Sequence, residues 1–245
     1  MADRSELNIY PLGDRALVIN FDQKINRKIN NEVLKLTHYL KSKNIEGILY
    51  FIPAYCSLTI AFDGDKWNIP DLSERILRFW EKLDDQHIEI TPGRSWQIPI
   101  CYDGKYGLDL DKISREKKVD KSQIVDWHTS KIYSVYMLGF LPGFVYLGDL
   151  PEPLHCSRRT RPRTRVPARS VAIAGAQTGI YPLEAPGGWQ VIGKTPIPIF
   201  FPTADPPFLF KCGDQVRFYP VTEKEYLELQ AMDYHELKAK CLEDE

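Results

Sequence analysis

Apolar positions in the first part of the chain keep clean periods. Ala16-Leu17-Val18-Ile19-Asn20-Phe21 is a β-type run, and behind it Ile25, Ile29, Val33, Leu36 and Leu40 recur at steps of four, four, three and four, one face of a helix. Ile48 to Ile52 and Ser57 to Phe62 are short β-branched and aromatic runs separated by Pro53-Ala54-Tyr55, which predicts two adjacent strands. Asp71 is expected to cap a second helix that carries Leu72, Ile76, Phe79, Trp80 and Leu83 on one face and ends in Asp84-Asp85-Gln86. A strand around His87 to Ile90 would complete the order β-α-β-β-α-β. That order is the ferredoxin-like arrangement, two helices on one face of an antiparallel sheet.

The alphabet then changes. Trp96-Gln97-Ile98-Pro99-Ile100 opens with a strand pattern, and the polar stretch Leu108 to Lys131 reads as one or two short helices, with Asp120 capping the second and Ile124, Val125 and Trp127 on it. Short β-type runs follow at Tyr133 to Phe140, Ser170 to Ala174, Gln190 to Gly193, Ile197 to Phe201 and Gln215 to Tyr219. Residues 139 to 220 hold thirteen of the 18 prolines and nine of the 15 glycines, and many short strands punctuated in this way argue for a β-barrel or sandwich. Thr222-x-x-Glu225 is a capping-box pattern opening a run of helix formers to Glu245, expected to be an acidic surface helix. The fold class is therefore α+β, with boundaries expected at 1–92, 93–221 and 222–245.

Composition narrows the functions. With 43% hydrophobic and 27% charged residues in 245, the chain has the material for a core. Its 32 Lys and Arg against 33 Asp and Glu leave a net charge of -1, so no global field draws it to nucleic acid or to a membrane surface. No stretch approaches the roughly 18 apolar residues of a membrane span. Met1 to Asn8 is polar with no apolar leader core, and a cytoplasmic location is expected. The five cysteines are odd in number and scattered, which predicts reduced thiols, with Cys241 the one exposed candidate.

Any charge-driven chemistry must then be local. Arg158, Arg159, Arg161, Arg163, Arg165 and Arg169 place six arginines in twelve positions with no acidic residue among them. Arginine at every position, stiffened by Pro162 and Pro167, suits bidentate recognition of phosphate or carboxylate. The alternatives are a solvated loop whose charges are paired elsewhere, and a nucleic-acid contact, which the near-neutral total disfavours. Glycine-rich turns surround the run at 138–144, 175–179 and 185–189, where N–H groups can line an anion pocket. Gly188 to Thr195 fits G-x-x-x-x-G-K-[ST] letter for letter, but Pro196 and Pro198 follow where a phosphate loop needs a helix, so the match reads as coincidence. His128, on or just after a helix, is a candidate acid, base or structural hydrogen-bonder.

Read in order, Leu138-Gly139-Phe140-x-Pro142-Gly143-Phe144, Arg158-Arg159-x-x-Pro162-Arg163-x-x-Val166-Pro167-Ala168, Gln177-Thr178-Gly179-Ile180-Tyr181-Pro182 and Pro186-Gly187-Gly188-Trp189-Gln190-x-Ile192-Gly193 resemble the KipI family. That family comprises the 5-oxoprolinase B subunit, a related protein named allophanate hydrolase subunit 1, and the KipI kinase inhibitor. The resemblance spans nearly the whole chain and is densest from His128 to Phe218.

It implies a ferredoxin-like amino-terminal domain and a cyclophilin-like β-barrel. It further implies a C-subunit-like partner, and an A-subunit-like protein beyond it. The B and C subunits would share ATP and phosphorylate the oxygen of 5-oxoproline, a poor lactam electrophile, before ring opening to glutamate. No tightly bound cofactor and no metal are expected, and the chain alone should be inactive. The alternatives are a KipI-like inhibitor of a sensor histidine kinase, or a component acting on another amide such as a urea derivative. His128 and Arg163 stand as candidate catalytic residues. Arg158, Arg159, Gln177, Thr178, Tyr181, Gly187, Gly188 and Trp189 stand as candidate substrate- or anion-binding residues. Two positions depart from the family: Ser157 replaces a usual proline, and Arg169 replaces the glycine of Val-Pro-Ala-Gly-Ser-Val. If that glycine needs positive φ or hugs a ligand, Arg169 is strained or fills part of the pocket.

Overall fold

Alternation at Leu17, Ile19, Leu58, Ile60 and Phe62 decides the architecture of the first half. In the computed structural model, which describes residues 7–83 and 93–243, the chain divides into two units, Met1–Pro92 and Gly93–Glu245. The first contains β1 (Asn8–Pro11), β2 (Ala16–Asn20), α1 (Arg27–Ser42), β3 (Ile48–Pro53), β4 (Ser57–Phe62) and α2 (Ile69–Glu81). The strands are antiparallel in the order β1-β2-β4-β3. Those five alternating residues share one core with Val33, Leu36 and Leu40 of α1 and Leu72, Ile76 and Trp80 of α2, so both helices cover the same face.

Two details differ from the sequence expectation. The cap of α2 is Asn68, whose side chain accepts from the Asp71 N–H at 2.9 Å, and Asp71 lies inside the first turn. Pro70 explains the shift, because its fixed φ and missing N–H suit the opening turn and place the cap ahead of it. β1 is a strand that Asn8-Ile9-Tyr10-Pro11 does not announce, and it pairs with the edge of β2. The strand expected around His87 to Ile90 lies outside the described residues.

The second unit holds β5 (Ser95–Cys101), α3 (Leu110–Lys117), α4 (Lys121–Thr129), β6 (Ile132–Leu138), β7 (Val145–Leu147), β8 (Arg163–Val166), β9 (Ser170–Ala174), β10 (Gln177–Ile180), β11 (Ala185–Gly187), β12 (Gln190–Lys194), β13 (Gln215–Val221), α5 (Glu223–Gln230) and α6 (Tyr234–Cys241). Seven strands close a barrel in the order β10-β7-β6-β13-β5-β12-β9, consistent with the cyclophilin-like barrel that the resemblance implies. Only β5 and β13 run parallel, and β8 and β11 form a separate two-stranded ribbon.

Period-two alternation splits the apolar side chains of this unit between two cores. Ile98, Ile100, Val135, Val145, Val171, Ile173, Ile180, Ile192 and Phe218 belong to the barrel core. Their strand neighbours Ala172, Ala174, Tyr181 and Val191 belong to a second cluster with Phe144, Val166 and Trp189, on the outer side.

The structure corrects three expectations here. Ile197 to Phe201 is no strand and contributes only an isolated bridge, Phe200 to Phe208. Pro196, Pro198 and Pro202 cannot donate to a ladder, although Ile197 and Ile199 still fill the core. The tail is two helices rather than one, since Asp233 accepts from the His235 and Glu236 N–H groups and starts α6 afresh. Only one face of it is at the surface: Leu229, Tyr234, Leu237 and Cys241 join the barrel core, so the Cys241 thiol, expected to be exposed, is buried and pushed up to about 12 by that burial. The Thr222 capping box does form. No described helix is long and apolar enough to cross a membrane.

Candidate functional site

An aspartate fifty residues away organises the arginine run. Asp109 immediately precedes α3 and is 2% exposed. Its backbone N–H donates to Val191 O at 2.8 Å while the Val191 N–H donates to its Oδ2 at 2.7 Å, fixing the carboxylate against β12. Arg159 Nη1 donates to Oδ1 at 2.7 Å, and Arg163 donates through Nη1 to Oδ2 at 2.7 Å and through Nη2 to Oδ1 at 2.9 Å, a planar fork on a carboxylate. Burial alone would raise the Asp109 pKa, but the Arg163 and Val191 hydrogen bonds and both guanidinium charges outweigh it and hold the carboxyl below its ordinary value. Two cations on one anion leave a local surplus of one positive charge.

The other arginines separate by partner. Arg165 pairs with Glu184 on the exposed surface. Arg158 and Arg161 are exposed and, among the described residues, meet no carboxylate within ion-pair distance. Arg169 has φ of +68°, the left-handed region favoured by glycine, and its Nη1 donates to Pro196 O at 2.8 Å. The position therefore does ask for positive φ, and the side chain is turned onto a backbone carbonyl of the 196–198 segment.

The Arg158 charge is felt by Tyr146 and Tyr181, two members of an aromatic cluster. Phe144 packs at 4.6 Å from Tyr146, 4.9 Å from Tyr181 and 5.6 Å from Trp189, and exposed Phe140 meets it edge-on at 5.8 Å. Burial raises the pKa of both Tyr146 and Tyr181, and the Arg158 charge pulls against that rise in each. Gly187 is required by close approach: a Cβ there would lie 2.3 Å from the Tyr181 hydroxyl oxygen. The neighbouring Gly188 accepts from the Arg159 N–H at 2.7 Å and has ordinary space around it. Thus Arg158, Arg159, Arg163, Tyr181, Gly187, Gly188 and Trp189 gather on the outer side of the barrel.

His128 and Thr178 do not join them. His128 is fully buried in the last turn of α4, its ring stacked 4.7 Å from Phe218. Thr178 Oγ1 donates to Ala172 O at 3.2 Å and so accepts from His128 Nε2 at 2.9 Å, which leaves Nδ1 to accept from the Tyr102 hydroxyl at 2.7 Å. Burial depresses the imidazole pKa to about 3, so the ring is neutral. With no exposure and both nitrogens engaged, His128 acts here as a polar bracket inside the barrel. Gln177 is half-buried at the start of β10, opposite Ala174.

The phosphate-loop lookalike is no loop. Gln190–Lys194 is strand β12, no helix follows Thr195, and Lys194 is half-buried with its pKa lowered by burial and by Arg169. Asp109 is the residue that sequence reasoning missed, and the absence of any acid within the run was the only signal that a distant carboxylate was needed.

These features define a two-unit protein of mixed helices and strands whose closed barrel carries an aspartate-anchored arginine cluster beside an aromatic cluster. Residues 7–210 match the carboxyltransferase domain, subdomains C and D, and the chain belongs to that family. It is 37% identical over 232 residues to the 5-oxoprolinase B subunit of Bacillus subtilis (strain 168), covering 89% of this chain and 94% of that protein. It is 38% identical over 214 residues to the 5-oxoprolinase B subunit of Escherichia coli O157:H7, covering 87% and 96%. Among solved structures it resembles TTHA0988 at 32% identity and a TM-score of 0.74, covering 85% of this chain and 40% of that one.

Proposed function

We propose that this chain is the B subunit of an ATP-dependent 5-oxoprolinase and that the arginine-bearing outer side of its barrel forms a site shared with a C-subunit-like partner. The observation that carries the reading is Arg158, a cation without a carboxylate partner among the described residues, beside two arginines already locked by Asp109. Arginines held in advance at the place where negative charge develops favour a transition state more than a ground state. The likeness to 5-oxoprolinase B subunits over nearly their full length supports the same assignment.

In the reaction proposed, the lactam oxygen attacks the γ-phosphorus of ATP and ADP leaves. A first water then adds to the ring carbon and the C–N bond opens, the nitrogen taking a proton, to give an acyl phosphate; a second water attacks that acyl carbon, phosphate departs, and glutamate remains. The chain's own part is to hold oxyanions at Arg158, with Arg163 and Arg159 lending the surplus charge behind it. Gly188 to Thr195 does not fit a nucleotide loop, so ATP is assigned to the shared surface with the partner supplying its principal contacts. His128 is assigned a structural role, not proton transfer. Phe140, 65% exposed with φ of +70°, stands at the rim of the aromatic cluster and fits a contact buried by the partner.

The test is an arginine scan in the reconstituted pair. Arg158→Ala should lower kcat by about 100-fold, the scale of removing one preorganised donor, while Arg165→Ala should leave turnover within about twofold, as surface pairs contribute little. Equal effects from the two substitutions would remove Arg158 from the site.

A further inference from the structure

A cleft of about 360 Å³ lies between α3 and residues 155–160, on the flank of Arg158. Its walls are fixed by bonds already made. Lys117 Nζ donates to His155 O at 2.6 Å, the Gly175 N–H to Cys156 O at 2.7 Å, and Gln190 Nε2 to Ser157 O at 3.1 Å. The Arg159 N–H closes the segment onto Gly188 O at 2.7 Å. A ligand entering therefore meets a preformed surface and loses little to ordering it.

Two properties of the lining point to a ligand. Lys112, Lys117 and Arg158 oppose a single carboxylate, Glu116, which is held only loosely by Lys112 at 3.7 Å. Gln190 also lines the cleft, is 3% exposed, and its buried Oε1 has no hydrogen-bond partner among the described residues. A buried acceptor left without a donor is costly, and native proteins seldom retain one without a reason.

We propose that this cleft binds a small oxyanion that also carries a hydrogen-bond donor, with Lys112 and Arg158 taking the negative oxygens and Gln190 Oε1 accepting from the donor. A lactam carboxylate and a hydrogen phosphate both have this chemistry. Gln190 Oε1 is itself covered, so a donor reaches it only with a small shift of the side chains above, which discriminates against ligands that lack one. The cleft shares Arg158 with the site proposed above and so deepens that reading, but binding by the chain alone is measured separately from turnover.

Titration calorimetry of the full chain at low ionic strength tests it, using 5-oxoproline, inorganic phosphate, and the lactone analogue in which a ring oxygen replaces the N–H. Saturable one-to-one binding of 5-oxoproline or of phosphate is expected, and whichever binds identifies the source of the oxyanion. Lys112→Gln and Arg158→Gln should each weaken it about tenfold, as charge-assisted bonds do, with unchanged melting transitions because both side chains are at the surface. If 5-oxoproline is the ligand, the lactone should bind about tenfold more weakly for want of the donor. No saturable binding of either oxyanion, or affinities untouched by both substitutions, would overturn the proposal. A failure of partner-dependent turnover would leave it standing.

Discussion

Asparagine in place of Asp109 isolates what holds the arginine cluster together. The carboxylate accepts four hydrogen bonds, three from guanidinium nitrogens and one from the Val191 N–H. An amide of the same shape keeps one oxygen, turns an NH2 group toward donors and removes the only counter-charge. Removing one partner of a buried pair costs about 3–5 kcal/mol. The Asp109 side chain is 3% exposed but those of Arg159 and Arg163 are 27% and 21%, so both cations stay partly hydrated and the low end, about 3 kcal/mol, applies. For a unit of this size that corresponds to a fall in Tm of roughly 6–12 °C. Calorimetric melting at pH 7 measures it, and adding Arg163→Met to Asp109→Asn should recover part of the loss because the stranded charge is gone. A variant melting within about 1 °C of the wild type would refute the reasoning. The same bonds fix the behaviour in acid. A carboxyl held below its unfolded value of 3.8 contributes stability that is present above that value and lost as pH falls through the folded pKa. The difference between wild type and Asp109→Asn should therefore shrink below pH 3.8.

His128 should impose its own pH dependence: between pH 6.5 and about 3 the unfolded chain binds a proton that the folded chain refuses. Stability should then fall by up to about 1.4 kcal/mol per pH unit on acidification across that window, and denaturant titrations of His128→Gln should show a flatter slope. At Arg169, glycine should melt above alanine by about 1 kcal/mol equivalent, because both lose the bond to Pro196 O but only alanine keeps the cost of positive φ. Equal melting of the two variants would rule out backbone strain at this position. Phe140→Ala should leave the melting of the isolated chain unchanged and weaken binding to the C-subunit-like partner about tenfold, as loss of an aromatic anchor does. Undiminished binding by surface plasmon resonance would take Phe140 out of the interface.

How far the sequence discloses this structure follows from the range of each interaction. α1 and α2 are legible because Ile29, Val33, Leu36 and Leu40, or Leu72, Ile76 and Trp80, repeat at helical spacing, and the Thr222 cap is legible because its bonds span three residues. The barrel strands show as β-type runs, but their closure depends on pairings such as β5 with β13, more than a hundred residues apart, which no local pattern encodes. Short pieces such as β7 and β11 are too brief to carry a period. In the candidate site, composition picks out the arginine run and the glycine turn beside it, of which the structure brings Arg159 and Arg163 together on Asp109 and ties Arg159 to Gly188. The same reading cannot tell that Arg159 and Arg163 are held from within by Asp109, or that β10 turns Thr178 inward to His128 while Tyr181 faces outward. Side-chain direction in a closed sheet is set by register, and register here is a property of the whole barrel. Arg169 is the converse case, where the glycine that the family resemblance implies at this position pointed to the positive φ that the structure contains.

Under the proposed function this chain works only as one half of a shared site. The most direct test of that reading is 5-oxoproline-dependent ATP hydrolysis measured for the purified chain, for its C-subunit-like counterpart, and for the two mixed. Turnover is expected from the mixture and from neither protein alone. A stable complex that hydrolyses no ATP in response to 5-oxoproline, or full activity of the counterpart without this chain, would contradict it.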